Sequence, residues 1–452
     1  MSLIFLSDLL AGGRPDNHCI AILEGRAVEL GRLRADVSRN ADILAIKRIR
    51  RGAVVCESGY WFTVGILALA KIGADVILPP NAQPGTLRTI AEEVDTILTD
   101  TRSADDAKSM LLESGEEVVA PFAANFGQSR LYFFTSGSTG EMKRVEKSLT
   151  SFELEALVLE QMWGAQLGKV AVVGTVTHQH VFGMTFRIMW PIVSGRPFHA
   201  EFHIAWEPLI GELNKPSMIV TSPAQLTRLG GLESEKVAVD PEIIITAGAP
   251  LPISAANDTL AIFGRAPIEI LGSTEAGVIA WRQSGSEPVY WEPLPTVELR
   301  CNADGVMMLR SPHGSGSAWC EQADRISFVG GGCFRLEGRR DRVAKIEGKR
   351  VSLHRLENEI ASLRWVSDAA VVSLGGEHRA YLGAVVRLSD DGIQELKRLG
   401  KFRFERILRK ELSAAEDPAV LPRRWRFVDL MPMDRLGKRR VTDVVALLEG
   451  AS

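Results

Sequence analysis

Residues suited to binding a polyphosphate follow an apolar segment in the first third of the chain. The segment 131–143 reads LYFFTSGSTGEMK, an apolar run followed by glycines, hydroxyl residues and Lys143. Glycines let backbone N–H groups approach phosphate oxygens closely, hydroxyl groups donate hydrogen bonds, and lysine supplies a positive charge. The spacing is not that of a Walker A loop. We therefore predict an ATP-phosphate loop rather than a flexible Ser/Gly hairpin. Its residues are Thr135, Ser136, Gly137, Ser138, Thr139 and Gly140.

A second loop places a threonine and a glutamate between glycines. Segment 271–277 reads LGSTEAG and follows an apolar run that we interpret as a strand. Its glycines would allow close approach to a nucleotide, Thr274 can donate to a phosphate oxygen, and Glu275 offers an oxygen ligand for hydrated Mg²⁺. The alternative is a buried structural glutamate, which has little to do in a glycine-flanked loop. We therefore predict that Thr274 and Glu275 are catalytic residues.

Two shorter segments also follow apolar runs. His180-Val181-Phe182-Gly183 comes after one predicted strand and Ala247-Gly248-Ala249-Pro250-Leu251 after another. Taken alone, the histidine is more typical of a loop or core residue than of a catalyst, and the second segment is typical of a plain strand-to-helix loop.

The end of the chain holds two basic segments. Gly338-Arg339-Arg340-Asp341 precedes a lysine- and arginine-rich stretch to Val351, and Pro432 precedes Gly437-Lys438 near the terminus. A charged surface hairpin and a basic tail are the alternatives to a functional role. The order of these segments along the chain argues against coincidence.

In this order and spacing, the segments resemble the adenylate-forming superfamily of acyl- and aryl-CoA ligases, stand-alone adenylation domains and luciferases. The resemblance spans residues 131–440. It implies an α/β fold, in which a large layered α/β domain precedes a small mobile α+β domain that carries a catalytic lysine. Met142 and Arg144 depart from the family's usual Pro and Gly, which affects loop rigidity more than ATP binding, and Ala323 stands where the family usually has Gly.

The resemblance also implies roles for individual residues. The nucleotide would be bound by the loop at 135–140 together with Lys143, Ala247, Gly248, Ala249, Pro250, Asp324, Arg339 and Arg350. The acyl pocket would be lined by His180, Phe182, Gly183 and Gly272, with Gly348 in the thiol tunnel. Asp341 would be the hinge, Lys438 the mobile catalytic lysine, and Glu275 the Mg²⁺ ligand.

The elements that must position these residues are predicted from periodicity. Short β-branched runs alternate with Gly/Ser/Thr/Pro loops and helix-length amphipathic stretches, as in Tyr60–Ile72, which is the pattern of α/β layers. In open α/β sheets ligands bind where loops leave the carboxyl ends of strands. After residue 341 we predict a compact α+β unit, with one long helix over Ile393–Leu412.

Length and charge set limits on the class of protein. At 452 residues the chain is long enough for two domains, which we place at 1–340 and 341–452. The net charge of −3 gives no overall field for nucleic acid or anionic lipid. It is uneven, however, at −8 for the first domain and +5 for the second.

The remaining composition favours a cytoplasmic enzyme. The longest apolar stretch, Tyr60–Pro80, carries Lys71 and Asp75, so we predict neither a membrane span nor a signal peptide. Five scattered cysteines without C-x-x-C spacing read as reduced thiols rather than zinc ligands.

The predicted reaction uses ATP and Mg²⁺ to convert a carboxylic acid into an acyl-adenylate, which a phosphopantetheine thiol then attacks. The short large domain is similar to members from bacterial aryl polyene and related pigment pathways, which implies an aromatic acid and an acyl carrier protein. The basic stretch around Lys397–Lys410 could attract such a carrier, or could be a solvated helix face. The alternatives are a CoA ligase for aryl or medium-chain acids, an amino-acid adenylation enzyme, and a nucleotide-binding regulatory protein on the same fold.

We expect Lys438→Ala to lower acyl-adenylate formation by ~10²–10³, because it removes one preorganised donor to the transition state. Thiol transfer from supplied adenylate should continue. Both half-reactions can be followed separately, by pyrophosphate exchange and by thioester formation. An equal loss in both, with folding intact, would contradict the assignment of Lys438 to the first step.

Overall fold

The structure is a computed structural model. It describes residues 3–101, 108–115, 119–136, 142–213, 216–229, 232, 241–285, 290–314, 316–339, 342–346, 349–375, 380–413, 420–433 and 439–450.

The strands in chain order are β1 Cys19–Leu23, β2 Arg26–Glu29, β3 Arg51–Val54, β4 Asp75–Leu78, β5 Thr96–Thr99, β6 Ser109–Leu111, β7 Leu131–Ser136, β8 Met142–Lys147, β9 Ala171–Gly174, β10 Phe198–His199, β11 Ser217–Thr221, β12 Ile243–Ala247, β13 Ile268–Ser273, β14 Gly277–Gln283, β15 Glu292–Pro293, β16 Glu298–Cys301, β17 Val306–Arg310, β18 Cys320–Gly330, β19 Cys333–Arg339, β20 Val343–Ile346, β21 Lys349–Ser352, β22 Val366–Leu374, β23 Tyr381–Leu388 and β24 Arg424–Val428.

The α-helices in chain order are α1 Leu6–Asp8, α2 Leu30–Ile46, α3 Gly59–Lys71, α4 Pro84–Glu93, α5 Leu149–Leu167, α6 Val181–Gly183, α7 Trp190–Ser194, α8 Trp206–Glu212, α9 Pro223–Leu226, α10 Ile253–Phe263, α11 Leu353–Ala361, α12 Asp390–Leu399, α13 Lys401–Leu412 and α14 Val441–Glu449. Other helical segments are the π-helical Leu9–Gly13 and Met184–Met189 and the 3₁₀ turn Phe126–Gln128.

The large N-terminal part contains two mixed sheets, followed by a four-stranded antiparallel sheet of order β16-β17-β18-β19. Over the described residues, the first has the order β15-β14-β13-β12-β11-β9-β10-β1-β2, and its strands from β13 to β1 are parallel. The second has the order β6-β5-β3-β4-β7-β8, with only β8 antiparallel. Parallel strands present their carboxyl ends along one edge, so the loops that follow β7, β12 and β13 leave from such edges.

Successive residues of these strands pack into different cores. On β9, Val172 belongs to the central apolar cluster and Val173 to an outer one, and on β4 the same holds for Val76 and Ile77. The central cluster also contains α2, α3, α5 and α7, whereas α8 and α10 cover the outer face of the first sheet and α4 covers that of the second. The large part is therefore layered α/β/α/β/α, with both sheets covered on both faces.

Serine caps start the two helices that cross the central layer. The Ser58 hydroxyl accepts from the backbone N–H groups of Tyr60 and Trp61 at the start of α3, and Ser148 accepts from Ser151 N at the start of α5. These bonds satisfy N–H groups that have no partner inside a helix. Helix α5 therefore begins directly after β8, the strand that follows the predicted phosphate loop.

The C-terminal part has an apolar core of its own. Strands β22, β23 and β24 form a sheet that packs against α11, α12 and α13. The prediction of a single helix over Ile393–Leu412 was wrong, because Gly400 adopts a positive φ of 75° that ends α12 before α13 begins. The predicted boundary between residues 340 and 341 lies outside the described residues and stays a prediction.

All five cysteines are free thiols. No helix within the described ranges is both long and apolar enough to cross a membrane.

We expect Phe404→Ala to lower the free energy of unfolding of the C-terminal part by about 3–5 kcal/mol, because it leaves a cavity in the core. Phe404 is fully buried against Trp365 and Phe427, with ring centroids 5.7 and 5.5 Å away. Phe402, two residues earlier on α13 and 73% exposed, gives the matched control. Its alanine variant should change unfolding by less than about 0.5 kcal/mol. Urea titration, monitored by hydrogen exchange of residues 349–428, measures the free energy of unfolding of both variants. An equal loss of stability in the two variants would contradict this packing.

Candidate active site

The predicted phosphate loop joins two antiparallel strands. Strand β7 pairs with β8 so that Thr135 lies opposite Lys143 and Ser136 opposite Met142. Lys143 therefore sits one residue inside β8, close to the loop, and its side chain is 64% exposed. The loop itself, Gly137, Ser138, Thr139 and Gly140, and the side chains of Thr135 and Ser136 lie outside the described residues.

The loop with Thr274 and Glu275 is a tight hairpin between β13 and β14. Gly272 pairs with Val278, and Ser273 with Gly277. A Cβ on Gly272 would lie 2.5 Å from the Gly277 carbonyl oxygen, and Gly277 has a φ of +74°. These glycines are therefore required by the hairpin itself, a reason that differs from the close approach to a nucleotide predicted from the sequence.

Lys143 and Glu275 meet across the two loops. The Lys143 Nζ donates to Glu275 Oε1 at 2.8 Å, although the residues are 132 positions apart. Burial acts to raise the Glu275 pKa, but the Lys143 hydrogen bond and the charges of Lys143 and Lys147 outweigh it and lower that pKa. The same hydrogen bond raises the pKa of Lys143. Both groups are therefore charged at neutral pH.

The segment 178–183 starts a helix at the carboxyl end of β9. His180 precedes α6, its carbonyl accepts from Met184 N at 2.8 Å, and a Cβ on Gly183 would lie 1.9 Å from the Thr177 carbonyl oxygen. Only glycine fits there without movement of the backbone. Phe182 is half-buried and stacks at 5.1 Å on Phe186, so its ring is packed on the apolar core.

His178 in this segment has a structural role. It is fully buried beside the ring of Phe62, and its Nε2 donates to the Cys56 carbonyl at 3.0 Å. Burial and the nearby Arg187 charge lower the pKa of His178 to about 3, so it is neutral at physiological pH.

The turn after β12 lies beside the Glu275 hairpin. Ala247 ends β12 in register with Ile270 of β13, next to Leu271 and Gly272. Gly248 has a φ of +100°, and the exposed Pro250 follows Ala249 before α10. The sheet therefore places the predicted adenine turn next to the predicted Mg²⁺ loop.

Asp324 and Arg339 are brought together on neighbouring strands. They are direct partners in the antiparallel pairing of β18 and β19. Arg350 pairs with Lys345 in the β20–β21 hairpin, and its side chain lies outside the described residues. Asp341, Gly348 and Lys438 also lie outside them.

Three polar residues behind the Glu275 hairpin were missed by the sequence reasoning. They are Lys147 on β8, Glu155 on α5 and His313 after β17, all buried. A signal existed for one of them: Lys147 shares strand parity with the buried Val145, which predicts an inward-facing side chain. Nothing local indicates the other two.

Comparison with known proteins decides the family. The sequence model for AMP-binding enzymes matches residues 11–304. The chain belongs to this family. It is an AMP-forming acid–thiol ligase of the adenylate-forming superfamily, as predicted.

Related proteins are similar along most of their length. A 4-coumarate–CoA ligase from Rhodobacter capsulatus is 25% identical over 323 residues, covering 71% of this chain and 77% of the relative. ATP-bound MatB from Rhodopseudomonas palustris has a TM-score of 0.79 at 18% identity, with 98% of both chains covered. The anthranilate CoA ligase AuaEII in complex with anthranoyl-AMP has a TM-score of 0.79 at 14% identity, covering 100% of this chain and 99% of that one. This likeness confirms the predicted fold class.

The paired residues fit a magnesium nucleotide. Mg²⁺ is usually held by one or two carboxylates together with substrate phosphates. The Glu275 carboxylate is charged and 37% exposed, and its present partner is an exposed amine that phosphate oxygens can replace. Glu275 would therefore hold the metal and Lys143 the phosphates.

We expect Glu275→Gln to lower ATP–pyrophosphate exchange by ~10²–10³, because the amide lacks the charge that stabilises the metal and, through it, the transition state. Exchange assays over a series of Mg²⁺ concentrations measure the effect. Glu298→Gln is the matched control, since Glu298 is an exposed carboxylate on β16 that pairs with Arg310 at 2.7 Å rather than with Lys143. A normal rate in the Glu275 variant would contradict the metal assignment.

Proposed function

We propose that this protein activates an aromatic carboxylic acid as its acyl-adenylate and transfers the acyl group to the phosphopantetheine thiol of an acyl carrier protein. The observation that supports the first half is the contact at 2.8 Å between Lys143, the cation that we propose binds phosphate, and Glu275, the carboxylate that we propose binds the metal. Glu275 lies in the loop after β13, and Lys143 lies at the start of β8, next to the loop after β7. Both positions are at the carboxyl ends of parallel strands, where α/β proteins bind ligands.

In the first step a carboxylate oxygen of the acid attacks the α-phosphorus of ATP. The bond between the α-phosphorus and the bridging oxygen breaks, and pyrophosphate leaves. Catalysis consists of positioning and of charge stabilisation, so no protein nucleophile is required. Lys143 would hold the outer phosphates, Thr274 would donate to the α-phosphate, and Lys438 would lie between the carboxylate and the α-phosphate. The Mg²⁺ held by Glu275 would neutralise phosphate charge.

The remaining predicted residues bind the nucleoside and the acyl group. Asp324 would accept hydrogen bonds from the ribose hydroxyls, with Arg339 beside it on the neighbouring strand. The turn at 247–250 would contact adenine, and the acid would lie near Phe182 and Gly272. An apolar aromatic surface at Phe182 favours an aryl acid, as do the names of the 4-coumarate and anthranilate ligases.

In the second step the thiol sulfur attacks the acyl carbon, the thiol proton passes to solvent, and AMP leaves with its phosphate oxygen. We propose that the C-terminal domain rotates about Asp341 between the steps. Rotation would withdraw Lys438 and bring the Lys345–Arg350 hairpin to the site, with Gly348 at the thiol tunnel.

A basic groove on the C-terminal domain supports a carrier protein as acceptor. The groove has a volume of about 330 Å³ and is lined by Lys401, Phe402, Glu405, Arg423, Arg424, Trp425, Arg426, Leu447 and Leu448. Four cations surround one carboxylate, and the exposed Phe402 adds an apolar contact. This surface is complementary to an acidic helix that carries an apolar side chain. Coenzyme A is the second candidate acceptor, because the curated relatives include three named 4-coumarate–CoA ligases.

Pyrophosphate exchange over a panel of acids, followed by thiol transfer, tests the proposal. We expect exchange with 4-coumarate, anthranilate or benzoate to exceed that with octanoate or with amino acids. Transfer to a holo carrier protein should then exceed transfer to coenzyme A. No exchange with any acid would contradict adenylation, whereas efficient transfer to coenzyme A alone would replace the carrier with the second candidate.

A charge reversal in the groove separates the two acceptors. We expect Arg426→Glu to raise the KM for the carrier protein by about tenfold or more, since it reverses part of the attractive field. The KM for coenzyme A should stay the same. Arg26→Glu on β2, also an exposed strand arginine, is the control. An unchanged KM for the carrier would show that it docks elsewhere.

A further inference from the structure

A buried lysine and a buried glutamate lie behind the hairpin that carries Glu275. Lys147, at the end of β8, is 7% exposed, and its Nζ donates to the His313 carbonyl oxygen at 3.4 Å. Glu155, on α5, is 1% exposed. Burial lowers the pKa of Lys147, and the charges of Glu155 and Glu275 oppose that shift. Both carboxylates therefore act electrostatically on the Lys147 amine.

Glu155 fixes the backbone at the end of the hairpin. Its Oε1 accepts from Val278 N at 2.6 Å, and its Oε2 accepts from the Thr185 hydroxyl at 2.7 Å. A Cβ on Gly277 would lie 2.3 Å from the same Oε1, so the carboxylate occupies the space that a larger residue would need. Both oxygens of this buried carboxylate are thus hydrogen-bonded, which its burial requires.

The hairpin is held from two further directions. The His313 Nε2 donates to the Val278 carbonyl at 2.9 Å, so both polar backbone groups of Val278 have side-chain partners. On the other arm, Ala276 N donates to the Ser273 hydroxyl at 3.0 Å, and that hydroxyl donates to Gln322 at 3.1 Å. The backbone on both sides of Glu275 is therefore fixed.

One segment, 142–155, contacts this hairpin twice directly and once through His313. Lys143 contacts the Glu275 carboxylate at the surface, Glu155 binds the backbone at Val278, and Lys147 binds the carbonyl of His313, whose ring binds Val278. The first contact is exposed and can exchange for phosphate oxygens, whereas the other two are buried. A buried polar side chain needs hydrogen-bond partners. Those of Glu155 include Val278 N of the hairpin, and that of Lys147 is the carbonyl of His313, whose ring holds the Val278 carbonyl. These contacts point to a role in placing the hairpin.

We propose that Lys147 and Glu155 are positioning residues for Glu275. Glu155 holds the backbone of the hairpin at Val278 N. Lys147 holds the carbonyl of His313, whose ring binds the Val278 carbonyl, so the hairpin keeps its position when Lys143 turns to the substrate phosphates. The inference rests on the proposed function, because it assumes that Glu275 binds the metal of a magnesium nucleotide.

Equilibrium binding of ATP by calorimetry, in Mg²⁺ and in EDTA, tests this role without turnover. The variants are Lys147→Met, Glu155→Gln and the double variant, which removes both charges together. We expect the gain in ATP affinity caused by Mg²⁺ to fall by ~10–100-fold in each, the effect typical of residues that orient metal ligands. Affinity in EDTA should change by less than about threefold, because the metal ligand is not then in use.

Glu160→Gln is the matched control, because Glu160 is another hydrogen-bonded carboxylate on α5 with little exposure, at 11%. It accepts from Arg196 Nη2 at 3.0 Å and from Trp190 Nε1 at 2.9 Å, away from the hairpin. Urea unfolding of each protein gives its stability. Glu160→Gln should keep the full Mg²⁺-dependent gain in ATP affinity. This should hold even if its urea unfolding midpoint is lowered as much as in the other variants.

The outcomes separate the inference from the function on which it rests. A wild-type protein that binds no ATP would contradict the proposed function itself. A wild-type gain from Mg²⁺ that persists in folded Lys147→Met and Glu155→Gln would overturn the positioning role, as would an equal loss in Glu160→Gln. If a single variant does not fold, the double variant takes its place in the test, because it carries neither buried charge. A full Mg²⁺-dependent gain in ATP affinity in the double variant would overturn the inference.

Discussion

The contact between Lys143 and Glu275 is the constraint on which the rest of the site depends. The two residues lie on hairpins that belong to different sheets, so they can meet only if the helical layer between the sheets has the right thickness. Helix α5 lies in this layer and is joined directly to the strand that carries Lys143. The packing of one helix therefore sets the distance between the Lys143 amine and the Glu275 carboxylate, the two groups proposed to bind phosphate and metal.

The site combines an exchangeable ion pair with buried polar groups that are held by hydrogen bonds. The surface pair of Lys143 and Glu275 costs little to separate, because exposed pairs contribute only about 0–1 kcal/mol. The buried groups Lys147 and Glu155 cannot leave their positions without exposing a charge to an apolar interior. Substrate phosphates can therefore replace Glu275 as the partner of Lys143, while the backbone of the hairpin and the buried groups around it keep their positions.

Glu155 also joins the nucleotide side of the site to the acyl side. Its second oxygen binds Thr185, in the π-helical segment that continues from the helix begun at His180. Gly183 in that helix packs against the Thr177 carbonyl, and Phe182 packs against Phe186. The two halves of the proposed reaction site are thus fixed to the same buried carboxylate, which limits their relative movement.

The sequence by itself determined the α/β fold class and the family, because these follow from chain periodicity and from the order and spacing of the motifs. Its phosphate and metal residues stay predictions. Strand parity could have placed Lys147 on the inward face of a strand, but that signal was missed. Only the tertiary structure showed that Lys143 meets Glu275, that Glu155 and His313 hold the hairpin, and that Gly272 and Gly277 serve its tight geometry. The break at Gly400 was likewise missed, since the apolar spacing of Leu396, Leu399, Phe404 and Leu408 runs through it. Local spacing acts over a few residues, whereas contacts across 132 positions are decided by how the layers pack.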